Sequence, residues 1–164
     1  MSPAQSEYRL VRDQAILDEL CQRIEPAGRV AVDTEFIRES TYYPQLCLLQ
    51  IATADTIAAV DCLADIDTKP LFDALHAGGK PWILHSARQD LEVVAHYSGR
   101  LPAKLVDTQI AASLLGFPLQ VGLQPLVADV LGVALGKEHT RADWSRRPLA
   151  DAVLDYALDD VRYL

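Results

Sequence analysis

The sequence predicts a mixed α/β domain, one sheet with helices on its faces. Three short strand-like runs, at about 29–35, 46–53 and 56–61, lie close enough in sequence to pair as an antiparallel meander. From residue 69 onward, helical patterns alternate with short apolar strands. The chain has 164 residues, 50% of them hydrophobic and 23% charged, which suits a single soluble domain with a full core.

A short strand near Tyr8 to Val11 opens the order, and a helix from about Asp13 to Ile24 follows. After the meander, a helix near Lys69 to Ala77 stops at Gly78-Gly79, and a strand then runs to His85. A helical pattern begins near Ala87, a short strand lies at Lys104 to Val106, and the remainder is helical. Breaks fall near Gly116-Phe117-Pro118 and between Gly132 and Pro148. Pro148 marks the start of the last helix. No repeat, low-complexity tract or internal linker interrupts this order. The helical pattern still runs at Leu164, so a truncated or isolated domain is expected.

The candidate site begins in the first meander strand, Arg29-Val-Ala-Val-Asp33-Thr-Glu35-Phe36. Strand side chains alternate, so Asp33 and Glu35 point the same way. Two like charges at the end of a buried strand call for a cation between them. A strand that simply runs out into an acidic loop is the alternative. In Arg88-Gln-Asp90-Leu-Glu92-Val-Val-Ala-His-Tyr97, Asp90 shares the inward stripe with Val93, Val94 and Tyr97. Glu92 falls on the other side with Arg88 and His96. In the last helix Leu149, Val153, Tyr156, Asp160 and Leu164 form the apolar stripe, while Asp151, Asp155 and Asp159 form a solvated row. An inward carboxylate needs a metal or a donor, unless it is a helix-edge acid that reaches water.

Together these residues read Asp-x-Glu, Asp, Tyr-x-x-x-Asp. In that order the chain resembles the DEDD-type 3′–5′ exonucleases of the Tyr subclass, with the nearest likeness to the ribonuclease D group. The resemblance runs over essentially all residues, including Thr41-Tyr-Tyr-Pro-Gln-Leu46, His85 to Leu91, Leu105 to Gln109, and Asp143-Trp-Ser-Arg-Arg-Pro-Leu149. It implies a ribonuclease H-like fold, a mixed, mostly five-stranded sheet with helices on both faces. It also implies helical nucleic-acid-binding domains after residue 164. The implied activity is hydrolysis of RNA (tRNA-like or structured precursors) from a 3′ end to nucleoside 5′-monophosphates.

The resemblance also implies two divalent cations, Mg²⁺ or Mn²⁺, roughly 4 Å apart. Asp33 would bridge both, Glu35 and Asp160 would complete the nucleophile-side ion, and Asp90 would serve the other. Tyr156, too weak an acid for a base at neutral pH, would orient the attacking water. Without Asp160 one turn on, it would read as a core Tyr.

Net charge is −8, which argues against broad adhesion to a polyanion, and two divalent ions would bring it to −4. Lys137 to Arg147 is locally +2: Lys137, Arg141, Arg146 and Arg147 against Glu138 and Asp143, with Trp144 interleaved. That segment either meets a nucleic-acid strand or pairs with the acidic helix that follows, and the resemblance favours phosphate contact. Tyr42 and Tyr43 would stack on terminal bases or pack a hairpin corner. His85 would contact substrate or be a satisfied strand-end His, and Asp107 is a cap rather than a fifth ligand.

Cys21, Cys47 and Cys62 sit among apolar neighbours, which fits reduced thiols in a cytoplasmic protein. No membrane span, signal peptide, zinc-ligand spacing, glycine-rich phosphate loop or serine- or cysteine-hydrolase pattern is present. Three other readings share parts of this pattern: a proofreading-type DNA exonuclease, a silent exonuclease fold that binds RNA or protein, and a structural domain with incidental acids.

Overall fold

The computed structural model describes residues 6–38, 43–136 and 142–164. The strands are β1 (Ser6–Val11), β2 (Val30–Ile37), β3 (Gln45–Ala52), β4 (Thr56–Asp61), β5 (Pro81–Leu84) and β6 (Lys104–Asp107). The helices are α1 (Gln14–Ile24), α2 (Lys69–His76), α3 (Arg88–Ser98), α4 (Thr108–Leu114), α5 (Leu123–Leu131) and α6 (Asp151–Arg162).

The strands form one six-stranded sheet, in the order β1-β4-β3-β2-β5-β6. β2, β3 and β4 are the expected antiparallel meander, and β1, β5 and β6 join it by parallel pairing. The sheet therefore has one strand more than the five that the resemblance implies, because both edges are extended by short parallel strands. Helix signals fall where the sequence puts them. Asp13 caps α1 by accepting from the Ala15 and Ile16 amides, and Gly99, at φ +71°, closes α3 in a left-handed turn that suits glycine.

Side-chain alternation splits the core in two. Val30, Val32, Leu49, Ile51, Ala58 and Val60 face one way and pack with residues of α1, α2 and α3, such as Leu17, Leu71 and Val94. Ala31, Leu48, Ala52, Ile57 and Ala59 face the other way and are covered by Ala157, Leu158 and Val161 of α6. Each layer buries several large aliphatic side chains, each contributing on the order of 1.5–3 kcal/mol of hydrophobic driving force.

α6 is rotated relative to its expected stripe. The fully covered residues are Leu154, Ala157, Leu158 and Val161, whereas Val153, Tyr156 and Asp160 lie along one flank, partly covered. The small Ala and branched Leu and Val side chains lie closest to the sheet. The flank instead looks along the sheet toward the carboxyl-bearing end of β2. The acidic row is paired rather than merely solvated: Asp155 with Arg9 at 2.6 Å, and Asp159 with Arg162 at 3.1 Å.

Arg147 also differs from its expected phosphate-contact role. Asp61, at the end of β4, is 1% exposed, and Arg147 grips it with two contacts of 2.6 and 2.8 Å. The same guanidinium donates to the carbonyls of Cys47, Trp144 and Arg146. Burial alone would raise the Asp61 pKa, but the bonds and charge of Arg147, with Arg12 at 3.3 Å, hold it below the ordinary value. A buried carboxylate outcompetes solvent phosphate for a planar fork that fits it, so Arg147 fastens the segment before α6 to the sheet.

Arg147→Met strips Asp61 of its main partner while Arg12 stays. It should cost about 2–3 kcal/mol, lowering the thermal midpoint by roughly 5–10 °C, with Arg147→Lys recovering only part. Circular-dichroism melts check this; a midpoint moving by less than about 2 °C refutes the clamp.

Candidate metal centre

β2 carries Asp33 and Glu35 to the same face, toward α6, as their i, i+2 spacing requires. A register shift between Glu35 and Phe36 bends the strand just beyond the pair. From the flank of α6, Asp160 reaches the same place, and one carboxylate oxygen from each of Asp33, Glu35 and Asp160 lies within 4.8 Å of the others. Tyr156, one turn earlier, hydrogen-bonds Asp160.

Asp90 enters from α3 and is buried. Its Oδ1 accepts from both the Thr34 hydroxyl at 2.6 Å and the Thr34 amide at 3.1 Å, which fixes the carboxylate beside β2. All five residues line one open cleft of about 420 Å³.

The site is an electrostatic frustration. Burial raises the Asp33 pKa well above the carboxylate range, and the charges of Asp90, Asp160 and Glu35 raise it further. Glu35 is pushed up to about 9 by burial, then by Asp160 and Asp90. Asp90 rises only to about 6, because its bonds from Thr34 oppose the effect of burial. Burial and then the neighbouring carboxylates also raise the Tyr156 hydroxyl. No lysine or arginine among the described residues forms an ion pair with Asp33, Glu35 or Asp90. The donors are hard carboxylate oxygens, converging and open to water on one side, and that set fits divalent magnesium or manganese.

The α3 end of the cleft is held by Asp107. It caps α4 through the Gln109 and Ile110 amides and also accepts from the Ser86 and Ala87 amides. It thereby holds Ser86, at φ +60°, in a left-handed turn just before α3. Burial would raise the Asp107 pKa, but those four amide bonds bring it below the ordinary value.

The expected substrate contacts fare differently. His85 lines the cleft with its ring, but Nδ1 contacts the Thr108 hydroxyl at 2.8 Å and Nε2 contacts the Val121 carbonyl at 2.9 Å. Both nitrogens are thus spent on the protein, so His85 has none to offer a substrate. Trp144 is 3% exposed and tilts against Tyr156, ring centres 6.5 Å apart. Its apolar area is worth more in the α6 layer than at the surface, so it is cleft wall rather than a stacking face. Tyr43 stacks on His96 at 4.4 Å, outside the cleft lining. Arg146 is exposed and does not line the cleft either. Tyr42 and Lys137 lie outside the described residues.

The sequence reading missed Thr34, whose position between the two acids was a usable signal. It also missed Gln89 and Leu123 in the lining, which carry no signal of their own.

The fold and this centre define an exonuclease domain. The 3′–5′ exonuclease family profile matches residues 8–164, and the chain belongs to that family, which depends on divalent metal ions. It is 46% identical over 159 residues to ribonuclease D of Zymomonas mobilis, covering 96% of this chain and 41% of that protein. Among solved structures it is similar to Escherichia coli RNase D, an exoribonuclease involved in structured RNA processing. That match has a TM-score of 0.88 and 38% identity, covering 95% of this chain and 42% of the other. It is also similar to Brucella melitensis NrnC, with a TM-score of 0.74 and 26% identity over 100% of this chain and 77% of that one. The ribonuclease H-like architecture is common to these neighbours. The chain spans about two-fifths of the length of the curated relatives that it matches.

The raised acids set a pH dependence for the metal-free protein. Between the ordinary carboxylate values (3.8 for Asp, 4.5 for Glu) and about 9, the folded state binds more protons than the unfolded one. Stability from this source is full below that window and is lost as pH rises through it. In chelator, the melting temperature should fall from pH 6 to pH 8.5, and saturating Mg²⁺ or Mn²⁺ should remove most of the fall. A metal-free profile flat over that range contradicts the picture.

Proposed function

We propose that this chain is a single exonuclease domain that removes nucleotides one at a time from the 3′ end of RNA, releasing nucleoside 5′-monophosphates. The observation that carries the reading is the convergence of Asp33, Glu35 and Asp160 within 4.8 Å in an open cleft, beside Asp90. Likeness to an exoribonuclease of structured RNA favours RNA over DNA and a structured precursor as substrate. The absence of a membrane-spanning helix among the described residues is in keeping with a cytoplasmic enzyme.

Asp33, Glu35 and Asp160 would hold one divalent cation, and Asp33 with Asp90 a second, either Mg²⁺ or Mn²⁺. When bound, such ions make hydroxide available at neutral pH and offset the charge on the leaving 3′ oxygen. The protein's own groups do the rest. Tyr156 stays protonated, since its pKa is raised, so it serves as a hydrogen-bond partner that orients the attacking water and not as a base. Thr34 donates two hydrogen bonds to one oxygen of Asp90 and so fixes that carboxylate in the cleft wall. The turn at His85–Ser86, held by Asp107, and the buried wall at Trp144 bound the space in which a terminal phosphodiester is oriented.

The test is product size from labelled single-stranded RNA and DNA, with free or phosphorylated 3′ ends, with and without Mg²⁺ or Mn²⁺. Mononucleotides should appear only from free 3′ ends and only with metal. Cleavage of circular RNA, or undiminished activity in EDTA, refutes the proposal.

Successive helical residues point about 100° apart, so Asp159, paired with Arg162, cannot share the role of Asp160. Asp160→Asn should abolish turnover, whereas Asp159→Asn should leave it within a few-fold of the parent. Turnover and melts of the two variants decide the assignment, and the reverse pattern overturns it.

A further inference from the structure

Among the described residues, Gln50 is buried with both polar atoms of its side-chain amide unpartnered, while Trp144 Nε1 and His76 Nε2 are single buried nitrogens without a hydrogen-bond partner. Gln50 lies in the middle of β3, is 0% exposed, and neither Nε2 nor Oε1 finds a hydrogen bond. Leaving such groups unmet is destabilising, because each loses its bonds to water and gains none in the protein. Its neighbours along the strand, Leu46-Cys-Leu-Leu before it and Ile51-Ala52 after it, are apolar, and the strand's other amide, Gln45, is exposed at its start. A leucine or methionine would fill the same space without that cost.

The register says what the amide stands beside. Gln50 is the direct cross-strand partner of Asp33 on one side and of Ala59 on the other. Directly opposed residues of an antiparallel pair share a face, with Cβ atoms roughly 4.5–5.5 Å apart. Leu48 and Ala52, two residues either way along β3, belong to the layer under α6, so Gln50 does too. Ala59 offers only a methyl group. Of the two cross-strand partners only Asp33 has a polar side chain, and it is buried among other carboxylates. Gln50 does not line the cleft, so anything it does there it does through Asp33.

We propose that Gln50 is a positioning residue of the carboxylate centre, its amide N–H holding the Asp33 carboxylate from behind when that carboxylate carries a cation. The inference rests on Asp33 being a metal ligand, as proposed above. An amide suits the place for a stated reason. It supplies a donor to the rear oxygen, which orients the front one, and it brings no positive charge to compete with the cation. A lysine or arginine there would neutralise Asp33 and displace the ion. Asparagine, one methylene shorter, reaches less far along the sheet. The unmet amide of the metal-free form is then a standing cost in stability that is recovered on metal binding.

Calorimetric titration of Mn²⁺ into the wild-type chain, Gln50→Met and Asp33→Asn tests this, with melts of each in chelator. Methionine keeps the volume and removes the hydrogen bond. Gln50→Met should bind Mn²⁺ about tenfold or more weakly, while melting in chelator at or above the wild-type temperature. The Gln50 side-chain amide resonance, assigned in the wild-type chain by through-bond correlation to its own backbone, should shift when Mg²⁺ is added to that chain. That readout stands even if the variant does not fold. Binding by Gln50→Met within twofold of wild type, or an amide resonance that Mg²⁺ leaves in place, overturns the role of Gln50 alone. Failure of the wild-type chain to bind Mn²⁺ overturns the metal reading and this one with it.

Discussion

Mutual repulsion among buried carboxylates is the constraint around which this domain is arranged. Asp33, Glu35 and Asp160 would each gain by moving apart, and the fold denies them that freedom. Strand alternation fixes the first two, since β2 lies between β3 and β5 and cannot turn its acids away without breaking ladders on both sides. Asp160 is fixed by α6, whose Leu154, Ala157, Leu158 and Val161 are embedded on the sheet. Rotating the helix enough to relieve Asp160 would expose that apolar row, at a cost of several kcal/mol by ordinary area bookkeeping.

The same helix is tied down at its margins by charge. Arg9 of β1 holds Asp155 and reaches Asp151, Arg162 pairs with Glu7 and Asp159, and Arg147 locks the preceding segment to Asp61. The exposed pairs contribute little each. The buried Arg147–Asp61 pair matters more, because neither group can return to water without unmaking the other's partner. Among the described residues, Asp61, Asp155 and Asp159 are each paired with an arginine, whereas no lysine or arginine pairs with Asp33, Glu35 or Asp90. This distribution separates scaffold from site more sharply than net charge does.

Much of this was legible in the sequence, and the reasons are local. The Asp33–Glu35 spacing forces a common face, Asp90 interrupts an apolar stripe that contains Val93 and Val94, and the Asp160–Tyr156 interval is one helical turn. Each is a statement about periodicity within a few residues. What stayed hidden depends on partners far along the chain. Arg147 and Asp61 are 86 residues apart, and nothing near Arg147 indicates that a buried acid awaits it. Composition left that segment open between a nucleic-acid strand and the acidic helix, and the resemblance favoured phosphate. The contacts of His85 and Trp144 were hidden for the same reason, since Val121, Thr108 and Tyr156 come from other elements. A satisfied strand-end His was nonetheless one of the two readings of His85. Thr34 and Gln50 did leave local signals, a hydroxyl between two acids and an amide flanked on both sides by apolar residues.

The acids also divide by how they are supported, which bears on what each can do. Asp90 has two donors from Thr34 on one oxygen and sits on a helix whose start is fastened by Asp107, so its pKa is raised only to about 6. It can stay charged at neutral pH without a cation. Glu35, pushed up to about 9, has no such donors and at neutral pH is charged only if something positive arrives. A group that ionises on metal arrival releases its proton in the same event, whereas one already charged attracts the ion beforehand. The cleft therefore combines an acid on α3 that Thr34 holds in place with one on β2, Glu35, that has no such donors among the described residues. The difference between them lies in the hydrogen bonds behind the carboxylates rather than in the carboxylates themselves.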